Sequence, residues 1–151
     1  MHSFRLARPS DLAAIVRLLA DDDLGSAREI VADPVDARYL SAFAAIEADA
    51  NQMLAVAIDA SDQVVGCLQL SFIPGLSRTG MWRGQIESVR VVRDVRGSGL
   101  GSAFIEWAIG QCAARGCGLV QLTSDKTRAD SIRFYERLGF VASHEGLKRT
   151  L

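Results

Sequence analysis

The stretch "VRVVRDVRGSGLGSAFIEWAI", Val89 to Ile109, decides how the chain is read. A β-branched run leads into glycines at alternate positions, Gly97, Gly99 and Gly101. Beyond them Leu100, Ala103, Phe104, Trp107 and Ala108 recur at helical spacing, and Gly116 stands where a C-terminal cap belongs. The order is therefore strand, glycine turn, helix. A helix start offers unpaired N–H groups and about half a positive charge. Glycines ahead of it let the backbone approach a ligand, so the turn suits a phosphate or pyrophosphate. Two nucleotide motifs fail on the letters. The dinucleotide pattern G-x-G-x-x-G needs a third glycine where Ser102 or Phe104 stands, and the Walker pattern needs a Gly-Lys dipeptide that the chain lacks.

Outward from this turn, both flanks alternate strands and helices. Ser3 to Ala7 reads as a strand, and Pro9-Ser10-Asp11 starts a helix carrying Leu12, Ile15, Val16 and Leu19 at helical spacing. A loop around Leu24 to Pro34 leads to a second helix, roughly Asp36 to Ala48, with Tyr39, Leu40, Phe43 and Ile46 on its apolar side. Gln52 to Asp59 and Val64 to Ile73 make a hairpin, and Arg83 to Val92 is a further strand after a loop. Past the glycine turn, the largely apolar Leu119 to Ser124 reads as a buried parallel strand. A capping box from Thr127 to Asp130 opens a last helix ending at Gly139, and Phe140 to Leu151 supplies one or two closing strands. The 151 residues, with no internal repeat or linker, read as one α/β domain over 1–151.

Seventeen basic and 18 acidic residues leave a net charge of −1, which gives no electrostatic footprint for nucleic acid. No apolar run approaches membrane-spanning length, and "MHSFRLARPSDL" lacks the apolar core of a signal peptide, so a cytoplasmic protein is expected. Cys67, Cys112 and Cys117 have neither an even count nor C-x-x-C spacing and read as packing residues. With only His2 and His144 far apart, no metal is expected.

Arg96, Gly99 and Gly101, in "RGSGLG", fit R-x-x-G-x-G, and Phe134, Tyr135, Gly139 and Phe140 form "FYERLGF". The chain resembles the GNAT superfamily of N-acetyltransferases in both motifs, in the helix and strand between them, and in the N-terminal strand, two helices and hairpin. The resemblance covers essentially the whole chain. It implies a GNAT fold with a mixed central sheet of six to seven strands and four helices, splayed between the fourth and fifth strands near a bulge. It also implies acetyl-CoA as co-substrate.

On that resemblance, the turn amides of Arg96, Gly97, Ser98, Gly99, Leu100, Gly101 and Ser102 bind the pyrophosphate. The backbone of Val89 and Val91 pairs with the pantetheine arm like an added strand, and an amide near Val91 is a candidate donor to the developing oxyanion. Phe134 and Ser131 complete the cofactor side. Many relatives carry Asn and Ala where this chain has Arg128 and Ser131. Arg128 is left between contacting a CoA phosphate and being solvated.

The implied reaction is aminolysis of a thioester by direct attack in a ternary complex. An alkyl amine, with a pKa of about 10.4, must lose a proton first. Glu87 stands where the family often places the carboxylate that takes it, and the alternative is a structural or orienting carboxylate. Tyr135 is implied as the acid that protonates the leaving thiolate, against the alternative of a packed tyrosine with a satisfied hydroxyl. A covalent route through Cys67 or Cys112 lacks an evident neighbouring base.

The acceptor is a small-molecule amine or a protein amino group. Asp21 to Asp23 either draw a cationic amine or are plain solvated surface. Trp82 either lines the acceptor cleft or packs under its loop. Homodimerisation is a family habit that the resemblance carries with it. The competing class is a non-catalytic CoA-binding sensor or regulatory protein with the same fold. A DNA-binding regulator is disfavoured by the balanced charge.

Overall fold

Nineteen apolar residues are buried between the strands and helices of a computed structural model that describes residues 1–151. The strands are β1 (Ser3–Leu6), β2 (Gln52–Ile58), β3 (Val64–Ile73), β4 (Arg83–Val91) and β5 (Leu119–Leu122), forming one sheet in sequence order. β1 to β4 run antiparallel to their neighbours, and β5 is parallel to β4. The helices are α1 (Leu12–Ala20), α2 (Ala37–Ala48), α3 (Ser77–Gly80), α4 (Leu100–Ala114) and α5 (Ala129–Arg137). No helix is long and apolar enough to cross a membrane.

β3 is central, and its alternation sorts the core. Leu68, Leu70 and Phe72 face α4, whereas Cys67 faces α1 with Val56, Ile15 and Leu18. On the α4 side the helix contributes Leu100, Phe104, Ile105, Ala108 and Cys112, all buried. Phe104 stacks on Phe4 of β1 with ring centroids 4.9 Å apart. α4 lies hard against β4 because residue 84 is a glycine. A Cβ there would fall 2.3 Å from the Cys112 sulfur.

Several expectations need correction. The sheet has five strands, not six to seven, because Phe140–Leu151 forms none. Phe140 packs beside Tyr135 (ring centroids 5.7 Å apart), but Val141 to Leu151 are all exposed and make one backbone hydrogen bond among themselves, Ser143 to Val141. With nothing buried, this tail has no driving force to form a ladder on the four-residue β5. β5 is consequently an edge strand, half-buried rather than buried, and it stops at Leu122. The fifth helix, α3, is a single turn in the expected loop, with Arg78, Thr79 and Gly80 at φ 54°, 60° and 73°, in the left-handed region. On α2 only Phe43 is buried and Leu40 stays exposed, and on α4 Ala103 faces outward while Ile105 takes the core. The capping box is absent. Thr127 donates to Asp125 instead, and α5 begins after an uncapped Arg128.

Candidate active site

β4 and β5 pair only from Arg83–Leu119 to Ile86–Leu122, and beyond that point β4 continues alone to Val91. A wedge therefore opens between them on the side where both strands run toward helices. At the same point β4 carries a bulge. Opposite Cys67 to Gln69 of β3, β4 spends one extra residue between Glu87 and Arg90. Ser88 absorbs it with φ 56°, a left-handed conformation rare outside glycine. Nothing in a serine within a β run signals this, so the bulge position was not legible in the sequence.

The bulge reassigns faces. Ile86, Val89 and Val91 pack toward the α4 core, whereas Glu87 pairs with Gln69 and Arg90 with Cys67, on the α1 face. In an unbroken strand Glu87 and Arg90, three residues apart, would point to opposite sides. Glu87 is exposed and lies on a polar row where Gln69 and Ser71 both donate to Gln52 (3.0 and 2.9 Å) and Gln121 donates to Gln85 at 2.7 Å.

The glycine turn closes the end of the wedge. The short turn Arg93–Val95 leads into it, and Arg96 folds back so that Nε donates to the Val91 carbonyl at 3.1 Å. Ser98 Oγ donates to the Val95 carbonyl at 2.6 Å and accepts from Leu100 N at 3.4 Å. Gly97 and Gly99 sit at φ 81° and 88°, and Gly99 is the N-cap of α4. The N–H groups of Gly97, Gly99, Gly101 and Ser102 donate to no acceptor in the chain. No atom lies within 4 Å of where a Cβ would stand at Gly97 or Gly99. Free donors at a helix start, facing open space, suit a pyrophosphate.

On the other wall, α5 presents Phe134 and Tyr135. The Phe134 ring lies 3.5 Å from where a Cβ would stand on Gly101, tying α5 to the turn. Tyr135 is half-buried, edge-on to Phe134 and Phe140 with centroids 5.1 and 5.7 Å away. Burial pushes its phenol above the ordinary range, while Arg90 and Arg128 pull it back. Ser131 is half-buried one turn earlier, its N–H bonded to the Arg128 carbonyl at 3.0 Å.

Arg128 is neither free nor fully solvated. Its Nη2 donates to Asp22 Oδ2 at 2.9 Å, and Arg90 Nε lies 2.9 Å from the same oxygen. Asp22 also accepts from the Gly25 N–H. The acidic run is thus not plain surface, because Asp22 joins three segments and Asp21 pairs with Arg93 at 3.2 Å. Of this cluster, the reading of the sequence singled out Arg128 and the acidic run but missed Arg90. The acidic run at the end of α1 was the available signal; the bulge alone puts Arg90 on the α1 face, and the sequence does not mark it. Burial opposes the Asp22 charge, yet the Gly25 amide and the two guanidiniums outweigh it and hold the carboxyl at about 2.

A carboxyl whose folded pKa lies below its unfolded value stabilises above the unfolded pKa, and that stability fades as pH falls through the folded one. Between about pH 4 and pH 2 the native protein should therefore lose about 2 kcal/mol that an Asp22→Asn variant does not lose. Urea unfolding of both proteins across that window measures it, and parallel curves would refute the assignment.

Cys67 and Cys112 are buried, which pushes their thiols up to about 12 and about 11. Neither is a ready nucleophile at neutral pH. Trp82, 37% exposed, borders the β4 start away from the wedge end where Tyr135 stands.

Comparison with known proteins supports the family and the fold. The model of the acetyltransferase (GNAT) family matches residues 14–140. An aminoalkylphosphonate N-acetyltransferase of Salmonella typhimurium is 31% identical over 106 residues, covering 70% of this chain and 68% of the relative. Among solved structures, a transcriptional regulator from Bacillus halodurans superposes with a TM-score of 0.97 at 46% identity, each chain fully covered. A Trypanosoma brucei acetyltransferase superposes with a TM-score of 0.80 at 30% identity, again over the whole of both chains.

Proposed function

From the premise that this chain belongs to the GNAT family of acetyltransferases, we propose that residues 1–151 act as one N-acetyltransferase domain, moving an acetyl group from acetyl-CoA to a primary amine. The observation that carries the reading is the wedge between β4 and β5, closed at one end by four unpartnered turn amides and walled by Tyr135. Those features fit the co-substrate, which supplies the acyl group as an activated thioester.

Gly97, Gly99, Gly101 and Ser102 bind the pyrophosphate through main-chain N–H groups, and Arg96, Ser98 and Leu100 shape the turn around it. The backbone of Val89 and Val91, on the unpaired length of β4, takes the pantetheine arm as an added strand. An N–H near Val91 stabilises the oxygen that gains charge during attack. Ser131 and Phe134 line the α5 side.

Glu87 takes the amine proton, directly or through water, from the exposed face opposite buried Ile86. Tyr135, kept protonated by burial, returns a proton to the leaving thiolate. The amine attacks directly in a ternary complex, since both candidate thiols are buried and held protonated. A homodimer and a cytoplasmic location belong to the same reading.

A second reading rests on the Bacillus halodurans neighbour, whose name is that of a transcriptional regulator. On it, the fold binds CoA or acetyl-CoA as a signal and does not turn over. One assay separates the two. Release of free CoA thiol from acetyl-CoA that rises with added amine is expected of the enzyme, and saturable acetyl-CoA binding with no amine-dependent thiol supports the sensor.

A further inference from the structure

The cluster of Asp22, Arg90 and Arg128 lies at the splay, on the face of β4 that also carries Glu87. Its three members come from the segment after α1, from β4 and from the start of α5. Two guanidiniums share one carboxylate, which leaves one unit of positive charge. Donors are left over as well. Arg128 Nη2 donates to Asp22 and Arg90 Nη1 donates to the Val89 carbonyl at 2.8 Å. Arg90 Nε lies 2.9 Å from Asp22 Oδ2 without a hydrogen bond, and Arg90 Nη2 and Arg128 Nη1 and Nε have no acceptor in the chain. The Arg128 side chain is 33% exposed, so part of this surplus is reachable from outside.

Asp22 itself has no capacity to spare. Its oxygens already accept from Gly25 and Arg128, and Arg90 Nε is ion-paired to one of them at 2.9 Å, so the cluster is poorly placed to receive the cation of an amine. It is an anion site half filled by the protein's own carboxylate.

The bulge sets its distance from the carboxylate that would receive the amine. Glu87 and Arg90 stand opposite Gln69 and Cys67, two residues apart on β3, so their backbones are separated by about 7 Å on one face. A negative end and a positive end at that separation match a molecule with the opposite pattern, an amine at one end and an anion at the other.

We propose that Arg90 and Arg128 form the acceptor's anion subsite, so that the preferred substrates are short amines bearing a carboxylate or phosphonate about two or three carbons from the nitrogen. The inference rests on the acetyltransferase reading above. The name of the Salmonella relative, an aminoalkylphosphonate N-acetyltransferase, belongs to the same chemical class. Arg90 and Arg128 then read the anion, while Glu87 faces the ammonium end and Tyr135 stands at the leaving group. Asp22 holds the two guanidiniums together and limits the charge they present.

The test uses the full chain and measures amine-dependent thiol release with 2-aminoethylphosphonate, β-alanine and n-propylamine, the last lacking an anion. The expected wild-type result is a kcat/KM for the two anionic amines at least ~10-fold above that for propylamine. The ranking of phosphonate against carboxylate identifies which anion the subsite prefers. In Arg128→Met and Arg90→Met the ratio of anionic to neutral amine should fall about tenfold, mainly through KM of the anionic acceptor. Thermal melts report whether each variant is folded. If one is not, the wild-type ratio and the other variant decide.

Equal use of propylamine and the anionic amines by wild type would overturn the subsite and leave the acetyltransferase reading standing. So would an unchanged ratio in folded variants. If no amine releases thiol, the enzyme reading fails instead. The subsite is then judged by calorimetric titration with 2-aminoethylphosphonate in the presence of acetyl-CoA, where saturable binding lost in Arg128→Met supports it and absence of binding ends it.

Discussion

A Tyr135→Phe variant is expected to transfer acetyl about 100-fold or more slowly than wild type, with the loss in kcat. The variant keeps the ring that packs edge-on against Phe134 and Phe140, so the wall of the wedge and the fold should persist. What it removes is one hydroxyl, and no protein group would lose a hydrogen bond with it. The pH profile gives a second readout. Burial raises the phenol above the usual tyrosine range, more than Arg90 and Arg128 lower it. The protonated, donating form therefore persists above about pH 10 and is lost only beyond it. Wild type should show its alkaline limb there, and the Phe variant should not. Rates equal to wild type at all pH values would falsify the acid role and make Tyr135 a packing residue.

Gly99→Val should abolish saturable acetyl-CoA binding in a calorimetric titration. Gly99 caps α4 with φ 88°, a conformation that costs a β-branched residue about 1–3 kcal/mol. No protein atom stands within 4 Å of the new Cβ, so the side chain itself finds room. The room it takes is open space at the turn that carries the unpartnered Gly97, Gly99, Gly101 and Ser102 amides. A fall of several degrees in Tm, set by strain alone, should accompany a loss of binding that strain does not explain. Gly99→Ala, with the same φ penalty and less bulk, should retain weak binding. If the valine variant binds acetyl-CoA as wild type does, the pyrophosphate lies elsewhere and the assignment of the turn falls.

The parts of the site that were legible are those built from neighbours in sequence. Glycines at alternate positions before a helical period describe a turn with free amides whatever surrounds it, and Gly97 and Gly99 take the φ values that only glycine adopts easily. The strand and helix limits of α4, β3 and β4 came close because long periodic segments average out local ambiguity. The closing strands failed for the complementary reason. Phe140–Leu151 has strand-like residues, but a strand needs a partner and a buried face, and beyond Phe140 this tail has neither.

By itself the sequence determined an α/β order, a glycine turn between β4 and α4, and a tyrosine on the helix that follows β5. Tertiary structure alone decided which side chains share that cleft. The extra residue at Ser88 turns Glu87 and Arg90 onto one face, and chain closure brings Asp22 to Arg128, 106 residues away. The physical reason is the range of the interactions. Helical period and glycine conformations are set within a turn of chain, whereas a bulge and an ion cluster exist only once separate segments pack and must satisfy one another's charges.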